Sequence, residues 1–460
     1  MTPNPQPKDR VKRIVSAQLS DGRLVELLLD PAAETTRFVV FDGKTSSFAD
    51  EVVDTDGTRL LPYRADNAIL KHRVVLVPSE AVDYGSTEDL IASIRAYIHA
   101  YVDVSDDFEL LAAHYVLFTW LYDRFNELPY VRLQGGYGTG KTRFLLVVGS
   151  ICRTPIFAGG ASTTAPIFHM LDRFGGTLII DEADFRISDE KAQITKILNN
   201  GNLRGFPVLR AESNDGREFS PRAYQVFGPK LIAMRGEFED RALESRFITE
   251  RSDRRTLRDD IPLNLPTRQQ ADALALRNQL LTYRFRNFAN AGAVTQLVDP
   301  KLDARINQIF SPLLAVMEGE GARAALRQAA RDRQQLTEEE RSVSHEAGVL
   351  AVATYLATND KSGALAVADI ADLYSRAHAR DLLHPISSRW VGTILRRALG
   401  WRTRKSHGVY VLPTPDARNL SLLRKRYSVS DDDIASLAQY DVAEILRVEP
   451  LDSADGSPAK

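Results

Sequence analysis

Eight consecutive residues combine glycines, a lysine and a threonine in a spacing that suits phosphate binding. They are Gly135–Thr142, read as G-G-Y-G-T-G-K-T. A predicted strand, Pro129–Gln134, precedes them, and a predicted apolar helix, Arg143–Ile151, follows. A loop in that setting directs backbone N–H groups at an anion, and the helix N-terminus adds its positive dipole end. The pattern therefore predicts a site for the phosphates of a nucleotide.

The chemistry of phosphoryl transfer gives each part of this loop a role. Lys141 is expected to reach the β- and γ-phosphates, and the Thr142 hydroxyl to bind Mg²⁺. The predicted nucleotide contacts are Gly135, Gly136, Tyr137, Gly138, Thr139, Gly140, Lys141, Thr142 and Arg143. ATP is predicted rather than GTP, because the sequence contains no N-K-x-D motif for guanine.

Two adjacent acids after an apolar segment predict the metal ligand and the base of the same site. The segment Gly176–Ile180 is followed by Asp181 and Glu182. Ligands of α/β sheets bind at the carboxyl ends of such buried strands. Asp181 is expected to hold Mg²⁺, and Glu182 to polarise the attacking water. The alternative is that the two acids cap and begin a helix.

A further segment offers cations for the charge on a transferred phosphate. The predicted strand Lys230–Met234 is followed by Arg235, and then by Arg241 and Arg246. In a ring of subunits, a neighbour can deliver an arginine to the γ-phosphate and stabilise the transition state. Arg246 is the first choice for this arginine finger, and Arg241 is the second. The alternative is that either arginine forms a surface ion pair with a nearby acid.

With these motifs the sequence resembles the AAA+ ATPases. In detail it is similar to helicases of plasmids, phages and mobile islands, which are related to the minichromosome maintenance and superfamily-three helicases. The resemblance covers about residues 86–340. Besides the two Walker motifs at 135–142 and 176–184, it rests on Leu128–Arg132, Leu171–Phe174 and Asp240–Phe247. It implies ATP hydrolysis by a homo-hexameric ring.

The resemblance also suggests two sensor positions. Arg235 stands where the similar proteins usually carry a small polar residue such as Asn, and the position implies contact with the γ-phosphate. Arg277 lies on the predicted helix Gln269–Asn287, which suits an AAA+ lid, and is a candidate second sensor. Arg284 follows seven residues later on the same helix face. The alternative is that both arginines lie on the solvated face of an amphipathic helix.

A β-hairpin is predicted directly before the strand Lys230–Met234, because Asn-Asp-Gly at 214–216 separates two alternating segments. In the similar helicases a hairpin there projects into the central pore and pulls DNA. The resemblance therefore implies phosphate contacts for Arg217 at the tip and for Arg210 and Arg222 behind it. The alternative is a solvated hairpin, since nearby acids almost balance these arginines.

Residues 344–413 predict a winged helix, in which three helices precede a basic hairpin. The segment Arg376–Lys405 carries eight basic residues and one acid, a distribution typical of a surface that contacts phosphates. The predicted contacts are Arg389, Arg396 and Arg397 on the recognition helix and Arg402, Arg404 and Lys405 on the wing. The alternative is that the winged helix binds a protein.

The composition is that of a globular protein. The 460 residues include 59 Lys or Arg and 61 Asp or Glu, so the net charge is −2. No stretch approaches the ~20 apolar residues of a membrane span, the start lacks the apolar core of a signal peptide, and one cysteine excludes an internal disulfide framework. We therefore expect a cytoplasmic protein. The near-neutral total conceals a basic segment and an acidic C-terminal tail, so DNA stays a candidate partner.

These observations predict an α/β protein with an AAA+ P-loop core. Asp-Gly pairs at 21–22, 42–43 and 56–57 predict β-hairpins in a small domain before it. The predicted domains are an N-terminal β-rich domain at 1–85, the ATPase core at 86–266, a helical lid and linker at 267–343, the winged helix at 344–413 and an acidic tail at 414–460.

The predicted function is an ATP-dependent DNA helicase or translocase that serves replication of a mobile genetic element. The alternative is a DNA-bound AAA+ initiator, loader or regulatory switch that hydrolyses ATP without unwinding. Under either function, the N-terminal domain and the acidic tail are candidate contacts for replication partners.

Overall fold

A computed structural model describes most of the protein. The described residues are 10–159, 163–181, 188–214, 218–252, 258–359, 363–380, 382 and 384–441, without the side chains of 188–190, 211–214 and 218–220. The chain divides into two compact units, residues 1–330 and 331–460. Within the described ranges, no helix is both long and apolar enough to span a lipid bilayer.

The larger unit begins with two small β-sheets. Their strands are β1 (Val11–Ile14), β2 (Ser16–Gln18), β3 (Leu24–Asp30), β4 (Thr35–Phe41), β5 (Ser46–Ala49), β6 (Val52–Val53) and β7 (Arg59–Pro62). One sheet is antiparallel with the order β2-β3-β4-β5, and the other has the order β1-β7-β6. The three Asp-Gly pairs connect antiparallel neighbours, which confirms the predicted hairpins.

Helices and a parallel sheet form the rest of this unit. The first elements are α1 (Ala68–Lys71), α2 (Thr87–Tyr101), α3 (Asp106–Leu121), a 3-10 turn (Tyr122–Arg124), β8 (Tyr130–Gln134), α4 (Lys141–Ile151), β9 (Ile156–Ala158), α5 (Thr164–Phe174) and β10 (Leu178–Ile180). They are followed by α6 (Ser188–Asn200), β11 (Val208–Asn214), β12 (Glu218–Tyr224), β13 (Lys230–Met234), α7 (Arg241–Glu244), β14 (Phe247–Arg251), α8 (Arg268–Asn287), a 3-10 turn (Thr295–Leu297) and α9 (Ala304–Val316). The helix α10 (Glu320–Ser342) contains the boundary between the two units, after residue 330.

The parallel sheet has five strands in the order β14-β8-β13-β10-β9. β8 and β13 are buried along their whole length, as expected for central strands of a parallel sheet. Because β13 pairs with both β8 and β10, the carboxyl ends of these three strands lie side by side. That edge is where ligands bind in open α/β sheets.

The N-terminal sheets pack into the same hydrophobic core as the central sheet and its helices. Leu28 and Val39 belong to one buried cluster with Phe118 and Leu281, and Phe38 belongs to a second cluster that includes residues of β9 and β10. One compact unit, residues 1–330, therefore contains the predicted N-terminal domain, the predicted core and most of the predicted lid and linker.

Buried ion pairs reinforce this packing. Glu26 on β3 accepts hydrogen bonds from Arg153 Nη2 at 3.0 Å and from Arg284 Nε at 2.7 Å. Arg284 on α8 also donates from Nη1 and Nη2 to Asp123, at 2.8 and 2.6 Å. Burial acts to raise the pKa of Asp123, but the two arginines outweigh it and lower that pKa to about 2. Glu26, Arg153 and Arg284 are buried, and Asp123, with 28% of its side chain exposed, completes the charge compensation at the edge of the core.

A buried lysine lies at the start of β13. Lys230 Nζ donates to the carbonyls of Val226 at 3.1 Å and Gly228 at 2.6 Å, and burial lowers the lysine pKa to about 7. In the unfolded chain the pKa returns to its usual value of about 10.4. Between these two values the unfolded state binds one more proton than the folded state, so stability rises with pH.

Lys230→Met should therefore remove a pH dependence of stability. From pH 7 to pH 10, the free energy of unfolding of the wild type should rise by about 1.4 kcal/mol per pH unit relative to the variant. Urea denaturation of both proteins across this range measures the difference. Parallel pH profiles would show that the folded protein keeps Lys230 protonated.

The smaller unit is built from α11 (His345–Asn359), β15 (Ala364–Ala366), α12 (Val367–Ala377), α13 (Ser388–Arg397), β16 (Arg404–Ser406), β17 (Val409–Pro413), α14 (Ala417–Tyr427), α15 (Asp431–Ala435) and a 3-10 turn (Ser436–Tyr440). Its antiparallel sheet has the order β15-β17-β16. Leu423, Val429 and Leu437 are buried in the same core as Val391 and Leu412. Residues 417–440, predicted as part of a separate acidic tail, are therefore folded onto this unit.

Candidate nucleotide-binding site and basic surfaces

The predicted phosphate loop connects β8 to α4 at the ligand-binding edge of the sheet. Gly138 and Gly140 adopt φ of 74° and 79°, which residues with a side chain rarely adopt. The loop lines a cavity of about 320 Å³, and Asp181, Met234 and Arg235 complete its wall. The structure thus brings the loop together with residues that follow β10 and β13.

The first two residues of α4 lie where phosphates and a metal ion were predicted. Lys141 Nζ donates to the carbonyl of Gly136, so the ammonium group lies across the loop. Thr142 Oγ1 donates to Asp181 Oδ2 at 2.7 Å. A hydroxyl and a carboxylate oxygen are hard ligands that suit Mg²⁺, which takes further oxygens from water and phosphates. Glu182, the predicted base, lies outside the described residues.

Arg235 reaches the cavity from the end of β13. Its guanidinium lies 3.6 Å from the ring centroid of Tyr137, and Nη1 donates to the Tyr137 hydroxyl. The Arg235 carbonyl accepts a hydrogen bond from Gln134 Nε2 at 3.1 Å. Stacking and hydrogen bonding thus hold a cation beside the loop that Lys141 enters. The sequence predicted Arg235 in this site but not its pairing with Tyr137, which is 77% exposed.

A second cavity of about 350 Å³ adjoins the loop on its other side. Gly138, Thr139, Gly140 and Arg143 line it together with Tyr101–Asp103, Arg258 and Ile261–Leu263. Arg143 donates hydrogen bonds to the carbonyls of Pro262 and Leu263, which fixes the far wall. A nucleoside attached to phosphates in the loop would fit here. No sequence pattern predicts this wall, because its segments lie far apart in the chain and share no motif.

The two candidate finger arginines lie away from the loop cavity of their own chain. Arg241 is the first residue of α7 and is exposed. Arg246 is partly buried, its Nη1 donates to Asn199 Oδ1, and burial lowers its pKa. Neither residue lines the phosphate cavity, so a contact with γ-phosphate would come from another subunit. Exposure favours Arg241, whereas the sequence ranked Arg246 first.

Arg277 does not line the phosphate cavity either. Its side chain is buried in α8, with 3% of the residue exposed, and Nη1 donates to the Ser150 carbonyl at 2.7 Å. It lines a different cavity beside the N-terminal sheet. Arg284, on the same helix face, is 1% exposed. That face packs on the core, so in this structure these arginines are neither at the nucleotide site nor solvated.

The predicted hairpin is present as β11 and β12. The strands pair in antiparallel register from Val208–Tyr224 to Asn214–Glu218. The guanidinium of Arg210 lies 4.7 Å from the Phe168 ring, and that of Arg222 lies 4.8 Å from the Tyr224 ring. Both arginines therefore pack on aromatic side chains at the hairpin base. Arg217, the predicted tip contact, lies outside the described residues.

The smaller unit presents a cationic surface on α13 and the following hairpin. Arg389, Arg396, Arg397, Arg402, Arg404 and Lys405 are all exposed. Ser387 begins α13 by accepting a hydrogen bond from the Trp390 N–H at 3.3 Å, and Val391 and Leu395 anchor the opposite face in the core. Within the described residues, no carboxylate forms an ion pair with any of the six cations. Their charge is therefore directed at solvent or a partner.

Comparison with known proteins gives no relative in sequence. No family model matches the chain, and no curated protein matches it. Among solved structures, the NrS-1 C-terminal region aligns over 85% of this chain and 97% of its own, with 10% identity and a TM-score of 0.33. JCV helicase aligns over 57% and 63%, with 14% identity and a TM-score of 0.24. The Aeropyrum pernix Orc1 protein in complex with DNA aligns over 73% and 95%, with 16% identity and a TM-score of 0.22. At TM-scores this low, these alignments support no functional assignment.

Proposed function

We propose that this protein is an AAA+ ATPase that couples ATP hydrolysis to movement along DNA and strand separation. One observation carries the proposal: Lys141, the Thr142–Asp181 pair and Arg235 follow three different strands and line one cavity. A chance glycine turn gives no reason for a carboxylate and a guanidinium to converge on it from neighbouring strands. Phosphoryl transfer needs this combination of cations and metal ligands.

Each residue of the cavity has a distinct task in hydrolysis. Lys141 and Arg235 neutralise charge on the β- and γ-phosphates, and Thr142 and Asp181 hold Mg²⁺. The ion supplies further charge neutralisation across the phosphates. Glu182 accepts the proton of the attacking water. The cavity between Arg143 and the segment 261–263 takes the adenosine.

The arginines outside the cavity fit a homo-hexameric ring. Arg241 or Arg246 acts on the ATP of the adjacent subunit, because neither lines the cavity of its own chain. A heterologous contact repeated around a closed ring gives every site one such neighbour. Arg235, which directly follows β13, serves as the sensor that registers the γ-phosphate.

Two elements of the protein are proposed to contact DNA. The β11–β12 hairpin lines the ring pore, with Arg217 at its tip and Arg210 and Arg222 near its base. The smaller unit acts as a winged helix, supported by its order of helix, strand, two helices and hairpin and by the six exposed cations on α13 and the hairpin. Phosphate contacts by such cations supply most of the affinity for DNA.

The setting we propose is the cytoplasm, in replication of a mobile genetic element, on the basis of the sequence resemblance. The second candidate function is a DNA-bound initiator, loader or switch that hydrolyses ATP without unwinding. The ATP site and the winged unit serve both functions equally. The β11–β12 hairpin directly precedes the sensor strand β13 in the chain. This connection favours the helicase, because a hairpin linked to the nucleotide site could move DNA.

A forked-duplex assay separates the two functions. The wild type should separate strands with ATP and Mg²⁺, and a non-hydrolysable ATP analogue should not support separation. Native mass spectrometry with nucleotide should detect the ring. Hydrolysis that is never accompanied by separation, on forks of either polarity, would reject the helicase and leave the initiator or switch.

Arg396→Ala combined with Arg397→Ala should weaken DNA binding and reduce its salt dependence. Each phosphate that the protein no longer neutralises lowers the slope of log affinity against log salt concentration by about 1, so the pair should lower it by about 2. Fluorescence anisotropy with a labelled duplex at several salt concentrations measures the slope. Arg418→Ala is the matched control, because Arg418 is also exposed but lies on α14. An unchanged slope in the double variant would remove α13 from the DNA interface.

A further inference from the structure

A larger cavity lies beside the N-terminal sheet, apart from the nucleotide site. Its volume is about 560 Å³, and no residue lines both this cavity and the phosphate cavity. Leu70, Val75, Val77 and Leu274 supply apolar wall, and Thr267 and Gln270 bring the first turn of α8 to it. An apolar chamber of this size with a few polar groups is typical of a small-molecule site.

One cation in this wall has no counter-charge in the described protein. Arg277 is 3% exposed, and Nη1 donates to the Ser150 carbonyl at 2.7 Å. Nε is buried without a hydrogen-bond partner, and no carboxylate of the described residues forms an ion pair with the guanidinium. Burial lowers the pKa of Arg277 to about 10, yet at neutral pH the group is still charged. An unpaired buried charge of this kind is costly, and a bound anion would relieve the cost.

A second cation lies in the same wall. Arg73 is held at a φ of 57°, a left-handed conformation that is unfavourable for an arginine, and its Nη1 donates to Gln270 on α8. The charge of Arg73 lowers the pKa of Arg277, which shows that the two cations repel. The N-terminal turn of α8 adds its partial positive charge nearby. Lys71 also lines the cavity, so three cationic side chains and one helix N-terminus border it.

We propose that this cavity binds a small organic anion. Its carboxylate or phosphate group lies between Arg277 and Arg73, and its apolar body packs against Leu70, Val75 and Leu274. Three acids, Asp30, Glu34 and Asp66, also line the cavity, but they are exposed to solvent. Water therefore screens these acids, whereas the charge of Arg277 is shielded from it. The anionic end of the ligand is therefore attracted to Arg277, and its apolar body lies along the apolar wall of the cavity.

Calorimetric titration of the full-length protein with three ten-carbon probes tests the site. Decanoate and decyl phosphate carry the two anionic groups, and decan-1-ol has the same chain without charge. At least one anion should bind with a stoichiometry of one, and decan-1-ol should bind at least tenfold more weakly. A charge-assisted hydrogen bond is worth about this factor. The tighter of the two anions identifies the preferred group.

Three variants locate the binding. Arg277→Met removes the buried charge, and Leu274→Trp fills the cavity while it leaves both arginines in place. Each should weaken binding of the anion at least tenfold. Arg268→Gln is the matched control, because Arg268 is on the same helix with 83% of its side chain exposed. The Arg268→Gln variant should bind the anion as tightly as the wild type does.

Several results would overturn the proposal. They are equal affinity for decan-1-ol and the anions, absence of binding by every probe, or wild-type affinity in Leu274→Trp. Should Arg277→Met fail to fold, Leu274→Trp decides the question. These outcomes do not depend on ATP hydrolysis. The anion site can therefore be rejected while the proposed helicase function stands, and the helicase function can be rejected while the anion site stands.

Discussion

Lys141→Ala should lower the rate of ATP hydrolysis by about 10²–10³-fold without unfolding the protein. The lysine is the first residue of α4, and its ammonium group lies across the loop against the carbonyl of Gly136. It is placed to neutralise charge that grows on the phosphates as the bond to the γ-phosphate breaks. Loss of one such preorganised charge lowers the rate by about 10²–10³-fold. Phosphate release at saturating ATP and Mg²⁺ measures the effect.

Lys301→Ala provides the matched control, because Lys301 is an exposed lysine of the same compact unit that does not line the phosphate cavity. Its hydrolysis rate should equal that of the wild type. The circular dichroism spectrum and melting temperature of Lys141→Ala should be unchanged. A Lys141→Ala protein that hydrolyses ATP within tenfold of the wild type would mean that this loop is not the catalytic site.

Glu26→Leu should destabilise the larger unit by about 3–5 kcal/mol. The carboxylate of Glu26 accepts hydrogen bonds from Arg153 and Arg284, whose side chains are 6% and 1% exposed. Without it, two buried guanidinium groups share Asp123 as their remaining acid among the described residues. Hydrogen exchange measured by mass spectrometry on peptides from β3 and α8 gives the free energy of opening of this unit.

A surface pair in the same sheets provides the comparison. Glu51 pairs with Arg59 at 2.7 Å, but their side chains are 33% and 41% exposed. Because water solvates both partners, Glu51→Leu should cost less than about 1 kcal/mol. If the two substitutions had equal effects on hydrogen exchange, the buried network would not be what joins the N-terminal sheet to α8.

The parts of the site that sequence could predict are those set by local spacing. Gly135–Thr142 has a strand before it and a helix after it, so its strand–loop–helix setting could be predicted from neighbouring residues alone. Asp181 was predictable because an apolar strand ends there. The β11–β12 hairpin followed from three turn residues. In each case the informative residues are close neighbours in the chain.

What sequence could not predict depends on contacts between distant segments. Arg284 meets Glu26 across 258 positions, and no pattern in α8 distinguishes an arginine that finds a buried acid from one that faces water. Arg277 lies on the same buried face but meets no acid in the described chain, so its role could not be read from the spacing alone. Leu423, Val429 and Leu437 are apolar, but their spacing along the chain does not follow a clear helical or strand period. Their place in the core of the smaller unit could therefore not be predicted from sequence.

The shared core of the larger unit limits which segments of this protein could be exchanged between genes during evolution. A segment passes readily between unrelated genes only when its folding needs nothing from the rest of the chain. The unit from 331 onwards has its own core and could be exchanged in this way. The N-terminal sheet could not, because a replacement would have to restore a partner for Arg153 and Arg284 at the same moment. A change in the N-terminal sheet would therefore require a matching change in the segments that carry Arg153 and Arg284.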